Sequence, residues 1–82
     1  MNMFYVYALH SQKTKSLYIG ISADPDKRLK EHNSGATKST KFGRPFSLIY
    51  KEPVSDRIVA RQREKILKSG YGREFLKKFI RR

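Results

Sequence analysis

The chain has 82 residues, no cysteine, and a net charge of +12 from nineteen Lys and Arg against seven Asp and Glu. That length leaves room for one domain with a modest core, burying only about 60 to 65% of its unfolded-chain surface, and the lack of thiols rules out a disulfide framework or a thiolate metal site. With no charged segment ahead of an apolar stretch and no apolar run long enough to span a bilayer, neither secretion nor a membrane partner is expected, and a reducing cytoplasm is.

Residues 3 to 9, Met-Phe-Tyr-Val-Tyr-Ala-Leu, are aromatic and β-branched; a polar stretch, His10 to Ser16, separates them from a second apolar run, Leu17 to Ile21. This pattern predicts an antiparallel hairpin. Asp24 before Pro25 is a helix start, with the carboxylate as N-cap, and Asn33-Ser34-Gly35 is a stop, so a short helix is predicted over 25 to 33. Its one large aliphatic residue is Leu29. Residues 34 to 45 are rich in Gly, Ser, Thr, Lys and Arg and end at Pro45, as in a basic surface loop. Phe46 to Tyr50 reads as a third strand closed by Pro53. Ser55 is the expected cap of a second helix reaching about Ser69, with Val54 and Val59 as its hydrophobic staple. Gly70 would end it, and Phe75, Leu76, Phe79 and Ile80 recur at helical spacing to predict a short closing helix with Arg73, Lys77, Lys78 and Arg81 outward. The order strand, strand, helix, strand, helix, helix implies an α+β sandwich in which helices cover one face of a small sheet.

The charge is uneven: residues 36 to 82 carry fourteen basic and four acidic side chains, net +10. Phosphate neutralisation with counterion release explains why a small domain would tolerate such self-repulsion, so the second half is where a polyanion is expected to dock. Strand alternation places Tyr5 and Tyr7 on one face of the first strand and Tyr18 with Gly20 on one face of the second. Arg28 and His32 stand one helical turn apart. Glu64 borders the apolar stripe of the later helix, where a carboxylate needs a partner; Lys68 at i+4 and Arg61 are near enough to serve. Arg63 falls inside that stripe and must snorkel or pair, with Glu64 a candidate. Two phenols, a guanidinium, an imidazole and a carboxylate supply the roles that phosphodiester hydrolysis needs: a base for water, a cation for the phosphate, and an anchor for a divalent metal.

These residues and their spacing resemble the GIY-YIG nuclease superfamily, in particular its small single-domain, UPF0213-like members. Tyr5-Val6-Tyr7 and Tyr18-Ile19-Gly20 are similar to the two strand tripeptides that name the family; Arg28 follows Tyr18 by ten residues within Asp24 to Asn33; His32 falls where members carry His or Tyr. Ala60 to Glu64 resembles the helix bearing the metal-ligating glutamate, and Lys38 to Lys41 with Pro45 the connecting loop. The resemblance implies a three-stranded antiparallel sheet flanked by helices and a DNA endonuclease acting at one Mg or Mn. Tyr7 would orient or deprotonate water, Tyr18 would position water or phosphate, Arg28 would stabilise the phosphorane, His32 would be a hydrogen-bond partner or auxiliary base, and Glu64 would hold the metal. Tyr5, Val6, Ile19, Gly20 and Asn33 complete the motif, while Lys38, Lys41, Arg44, Arg61, Lys68, Lys77, Lys78 and Arg81 are the expected nucleic-acid contacts. DNA is expected ahead of RNA, branched or distorted DNA above all, with targeting left to a protein partner. Two features depart from the family pattern: Tyr5 replaces the glycine of the first tripeptide, and no asparagine follows Glu64. The alternative expectation is a nucleic-acid-binding module with the same fold and little or no turnover.

Overall fold

The computed structural model describes residues 3–80. The hairpin is β1 (Phe4–Ser11) and β2 (Leu17–Ser22), followed by helix α1 (Pro25–Ser34), a 3-10 helix (Lys38–Gly43), β3 (Phe46–Val54), α2 (Arg57–Lys68) and α3 (Gly70–Lys77). Both sheet pairings are antiparallel and the order is β2-β1-β3, so β1 is the central strand. A bulge at Ile49 shifts the β1–β3 register between Ala8 and Leu9.

The helices cover both faces of the sheet, not one. Every residue from Val6 to Ser11 is buried, as a central strand must be when helices pack above and below it. Val6, Ala8 and Ile19 share one core with Ala60 and Leu67 of α2 and Leu76 of α3. Tyr7 and Leu9, on the opposite face, pack with Phe46, Leu48, Tyr18 and Leu29 of α1.

Capping explains the element ends, and it moves three of them from where the sequence points. Asp24 caps α1 as expected, its Oδ1 accepting from Lys27 N at 3.1 Å, with Pro25 in the first turn and Gly35 closing the helix at φ +84. The cap of α2 is Asp56, not Ser55: its Oδ1 accepts from Val59 N at 2.8 Å, so Val59 is N3 and stays 38% exposed instead of stapling to Val54. Pro53 does not end β3; it sits inside an edge strand, where no ladder partner is lost on the outer side. Gly70 does not cap α2 either. Ser69 ends α2 and also starts α3, its Oγ accepting from Gly72 N at 3.2 Å, so the closing helix begins earlier than its apolar spacing suggests and Phe79 and Ile80 lie beyond it. Gly72 permits this tight corner, since a Cβ there would meet Ile66 O and the Leu67 backbone.

Candidate active site

Tyr7 pairs with Gly20 across the hairpin, and Tyr18 lies diagonally next to it, the two rings 6.5 Å apart and tilted by 40°. Gly20 matters because the Tyr7 ring lies over it: a Cβ there would come to 2.6 Å from the hydroxyl and 2.7 Å from Cζ. Helix α1 then brings Arg28 and His32 against these phenols. Arg28 Nη1 donates to Glu31 Oε1 at 2.6 Å and stays over a third exposed. Burial pushes the Tyr7 phenol above its usual range, with the nearby Arg28 guanidinium pulling the other way. Tyr7 is therefore a neutral hydrogen-bonding group at physiological pH.

His32 lies behind this front. It has no exposed surface; its ring lies tilted against Tyr18 at 4.7 Å and edge-on to Phe46 at 6.1 Å, and its Nδ1 meets Thr40 Oγ1 of the 3-10 helix at 2.6 Å. Its Nε2 is buried with no hydrogen-bond partner. Burial first, and then the Arg28 charge, depress its pKa, so the ring is neutral near pH 7.

Glu64 approaches from the other side of the sheet on α2, 22% exposed, with Lys68 Nζ at 3.3 Å. Tyr7, Tyr18, Gly20, Arg28 and Glu64 all line one open cleft of about 520 Å³. They meet because β2 is an edge strand: its residues face alternately toward α1 and α2, and at the sheet margin groups from both faces reach one space.

Of the other motif positions, Val6 and Ile19 are core residues on the α2 face. Tyr5 lies under Lys51, whose Nζ is 5.5 Å from the ring. Asn33 faces away from the cleft, accepting from Phe46 N at 2.6 Å and donating to Phe46 O at 3.0 Å. Among the expected nucleic-acid contacts, Arg61 and Lys68 line the cleft. Lys77 is paired with Glu74 at 3.0 Å and lines a neighbouring groove. Lys78 lies 5.8 Å above the Phe75 ring, and Lys38, Lys41 and Arg44 lie in or beside the 3-10 helix, outside the cleft. Arg81 is outside the described residues.

Arg63 does not pair with Glu64. It makes a two-point contact with Glu52 of β3, Nε to Oε2 at 2.7 Å and Nη2 to Oε1 at 2.9 Å, and the Tyr50 hydroxyl donates to the same carboxylate at 2.8 Å. That clamp fixes the rotation of α2 and leaves Glu64 toward β2. Sequence reasoning missed Arg73, a cleft residue placed by the Ser69 corner, and Thr40, the partner of His32. The signal for Arg73 was the Ser-Gly pair just before it, which reads equally well as the end of a helix.

The donor set bears on a metal. Among the described residues no group of three or more His, Cys, Asp and Glu could hold one. A lone carboxylate suits Mg or Mn only where water and substrate phosphates complete the shell. Glu64 fits that case: it is a hard oxygen donor in an open cleft, engaged by a half-exposed lysine in a pair worth under about 1 kcal/mol.

Comparison with known proteins agrees with this architecture. The family model for the GIY-YIG catalytic domain matches residues 3–78. A UPF0213 protein of Staphylococcus saprophyticus is 37% identical over 70 residues, 84% of each chain. A UPF0213 protein of Syntrophus aciditrophicus is 40% identical over 70 residues, 83% of this chain and 79% of its own. Structure-specific endonuclease subunit slx1 of Schizosaccharomyces pombe is 42% identical over 53 residues, 57% of this chain, which spans only 20% of slx1. No solved structure matches. A match over nearly the whole chain, with the motif tyrosines, arginine and glutamate gathered at one strand edge, makes this chain a member of the GIY-YIG family.

Proposed function

We propose that the protein is a metal-dependent endonuclease that hydrolyses phosphodiester bonds in DNA, acting on branched or distorted DNA in the cytoplasm. The observation that carries this reading is the convergence of Tyr7, Tyr18 and Arg28 from one face of the sheet and Glu64 from the other in a single cleft. Family membership supports a nuclease. The name of the slx1 relative, a structure-specific endonuclease subunit, supports a substrate recognised by its structure, and its being a subunit supports a targeting partner.

In this reading Tyr7, kept a phenol by burial, orients the attacking water. Tyr18 holds the water or a phosphate oxygen. Arg28 stands next to Tyr7, where its charge stabilises the phosphorane as the water oxygen bonds to phosphorus and the bond to the leaving oxygen breaks, the attacking water losing its proton to solvent and the leaving oxygen taking one up from solvent. His32 supports the Tyr18 ring from behind and holds no position in the cleft. Glu64, completed by water and substrate phosphates, would hold Mg or Mn, which would supply charge neutralisation for the leaving oxygen.

The Lys68–Glu64 pair also favours a second reading, a binding module in which the lysine keeps the carboxylate occupied. The deciding assay is cleavage of plasmid and branched synthetic DNA with Mg or Mn against EDTA, for wild type, Glu64→Ala and Tyr7→Phe. Metal-dependent products lost in both variants are expected. Salt-sensitive binding without products on any substrate would favour the binding module, or a nuclease that acts only with its targeting partner.

A further inference from the structure

Positions 57, 61, 64 and 68 recur at spacings of four, three and four, which lays Arg57, Arg61, Glu64 and Lys68 in one stripe along α2. Three depressions follow that stripe and share walls. A shallow one contains Arg57 and Arg61; Ile21 and Arg61 join it to the main cleft; Leu17 and Arg73 join the main cleft to a third, which holds Lys15 and Lys77. Together they form a trough along the outer edge of β2, which pairs only with β1. Alternate residues of such an edge turn N–H and C=O groups outward, into the trough.

The charges along it are only partly neutralised. Among the described residues Lys68 pairs with Glu64 and Lys77 with Glu74 inside the trough, whereas Arg57, Arg61 and Arg73 have no carboxylate partner. The Arg57 guanidinium carbon lies over the Phe4 ring, 5.3 Å from its centre, a cation–π contact that favours this position at the end of the trough. From Arg57 to Lys68 the helix rises about 16 Å, the length of roughly five base-pair steps of a duplex at 3.4 Å each. An extended peptide adding a fourth strand would use the same edge, but it would cover three unpaired guanidinium groups, at a desolvation cost that a polyanion turns into a gain.

We infer that the sugar–phosphate backbone of the substrate lies in this trough, running from Arg57 past Glu64 to Arg73 and Lys15. The inference rests on the nuclease reading and adds to it the path of the strand; the basic residues of the 3-10 helix lie off that path. The test is binding of a short labelled DNA duplex with a single-stranded flap, in EDTA so that cleavage plays no part, at salt concentrations from about 50 to 200 mM. Two triple variants remove the same charge: Lys15→Gln/Arg57→Gln/Arg73→Gln in the trough, and Lys38→Gln/Lys41→Gln/Arg44→Gln outside it. The trough variant should flatten the slope of log affinity against log salt by about 2.7, from roughly 0.9 per lost phosphate contact, and the second variant should leave the slope near the wild-type value. Equal flattening in both, greater flattening in the second, or no DNA binding by the wild type overturns the inference. Cleavage with Mg or Mn is scored separately: trough-dependent binding without products would defeat a nuclease that acts alone and leave the trough standing.

Discussion

Gly20→Ala probes the contact on which the site depends. The new methyl would lie 2.6 Å from the Tyr7 hydroxyl, and ordinary contact begins at 3.4 Å, so the hydroxyl must retreat by about 0.8 Å. The strand itself gains about 0.5 to 1 kcal/mol from replacing glycine, against about 1 to 3 kcal/mol for overpacking a filled site. The net loss of stability should be modest, between about 0 and 2.5 kcal/mol. Cleavage should suffer far more, since a displacement near 1 Å of a positioning group costs on the order of a hundredfold. Urea unfolding and plasmid nicking with Mg or Mn would be measured for Gly20→Ala, Tyr7→Phe and the double variant. Removing the hydroxyl leaves the ring in the way, with Cζ 2.7 Å and Cε1 3.0 Å from the methyl, so Gly20→Ala should destabilise the Tyr7→Phe background nearly as much as the wild type. The reasoning fails if Gly20→Ala cuts like wild type, or if the methyl costs no stability once the hydroxyl is gone.

Asn33→Ala removes both hydrogen bonds that hold the Phe46 backbone at the start of β3, and should cost about 2 kcal/mol in urea unfolding because partly buried amide groups are left unpaired. Arg63→Met should cost about 2 to 3 kcal/mol by stranding Glu52, and should also lower cleavage by loosening the α2 clamp beside Glu64. The Arg63 hydrogen bonds depress the Glu52 pKa below 4.5, so this contribution is complete above that pH and is lost as pH falls through the folded value; Glu52→Gln should lose this acid sensitivity in a Tm series below pH 5. For His32 the folded pKa lies below 6.5, so the unfolded chain binds the proton more readily and stability falls as pH drops below about 6.5. His32→Phe should be less stable at pH 7 yet show a flatter Tm between pH 7 and 5, measured by thermal unfolding.

What the sequence shows clearly is what is local. Asp24 and Pro25 mark the start of α1 because the cap and the proline act within one turn, and the apolar runs on either side of residues 10 to 16 mark the hairpin. The misread ends were those where one residue type serves two purposes. Pro53 reads as a strand stop but is tolerated on an edge, and Ser69-Gly70 reads as a helix end but is also a helix start. The two-sided burial of β1 could have been read from Tyr5 to Leu9, which is apolar at nearly every position instead of alternating. The Arg63–Glu52 clamp could not, since it joins residues on different elements and Glu64 stood nearer in sequence. The relation of Arg28 to His32 was legible as a shared face; that one sits in the cleft and the other beneath it depends on how deeply Tyr18 and Thr40 cover the imidazole, which spacing alone does not reveal.

The position of the site follows from the topology. In a three-stranded sheet with helices on both faces, groups from opposite faces can meet only at a strand edge, and of the two edges β2 is the one flanked by both Arg28 and Glu64. This makes the site dependent on register. A slip of one residue between β1 and β2 would carry Tyr18 to the α2 face and break the pairing of Tyr7 with Gly20. The same slip would expose Ile19 toward α1 and remove it from the core it shares with Ala60 and Leu67. The packing that stabilises the sheet therefore holds the Tyr7 phenol opposite the glycine and Tyr18 diagonal to it, and the arrangement of the candidate site needs no separate support along β2 beyond the small residue at position 20.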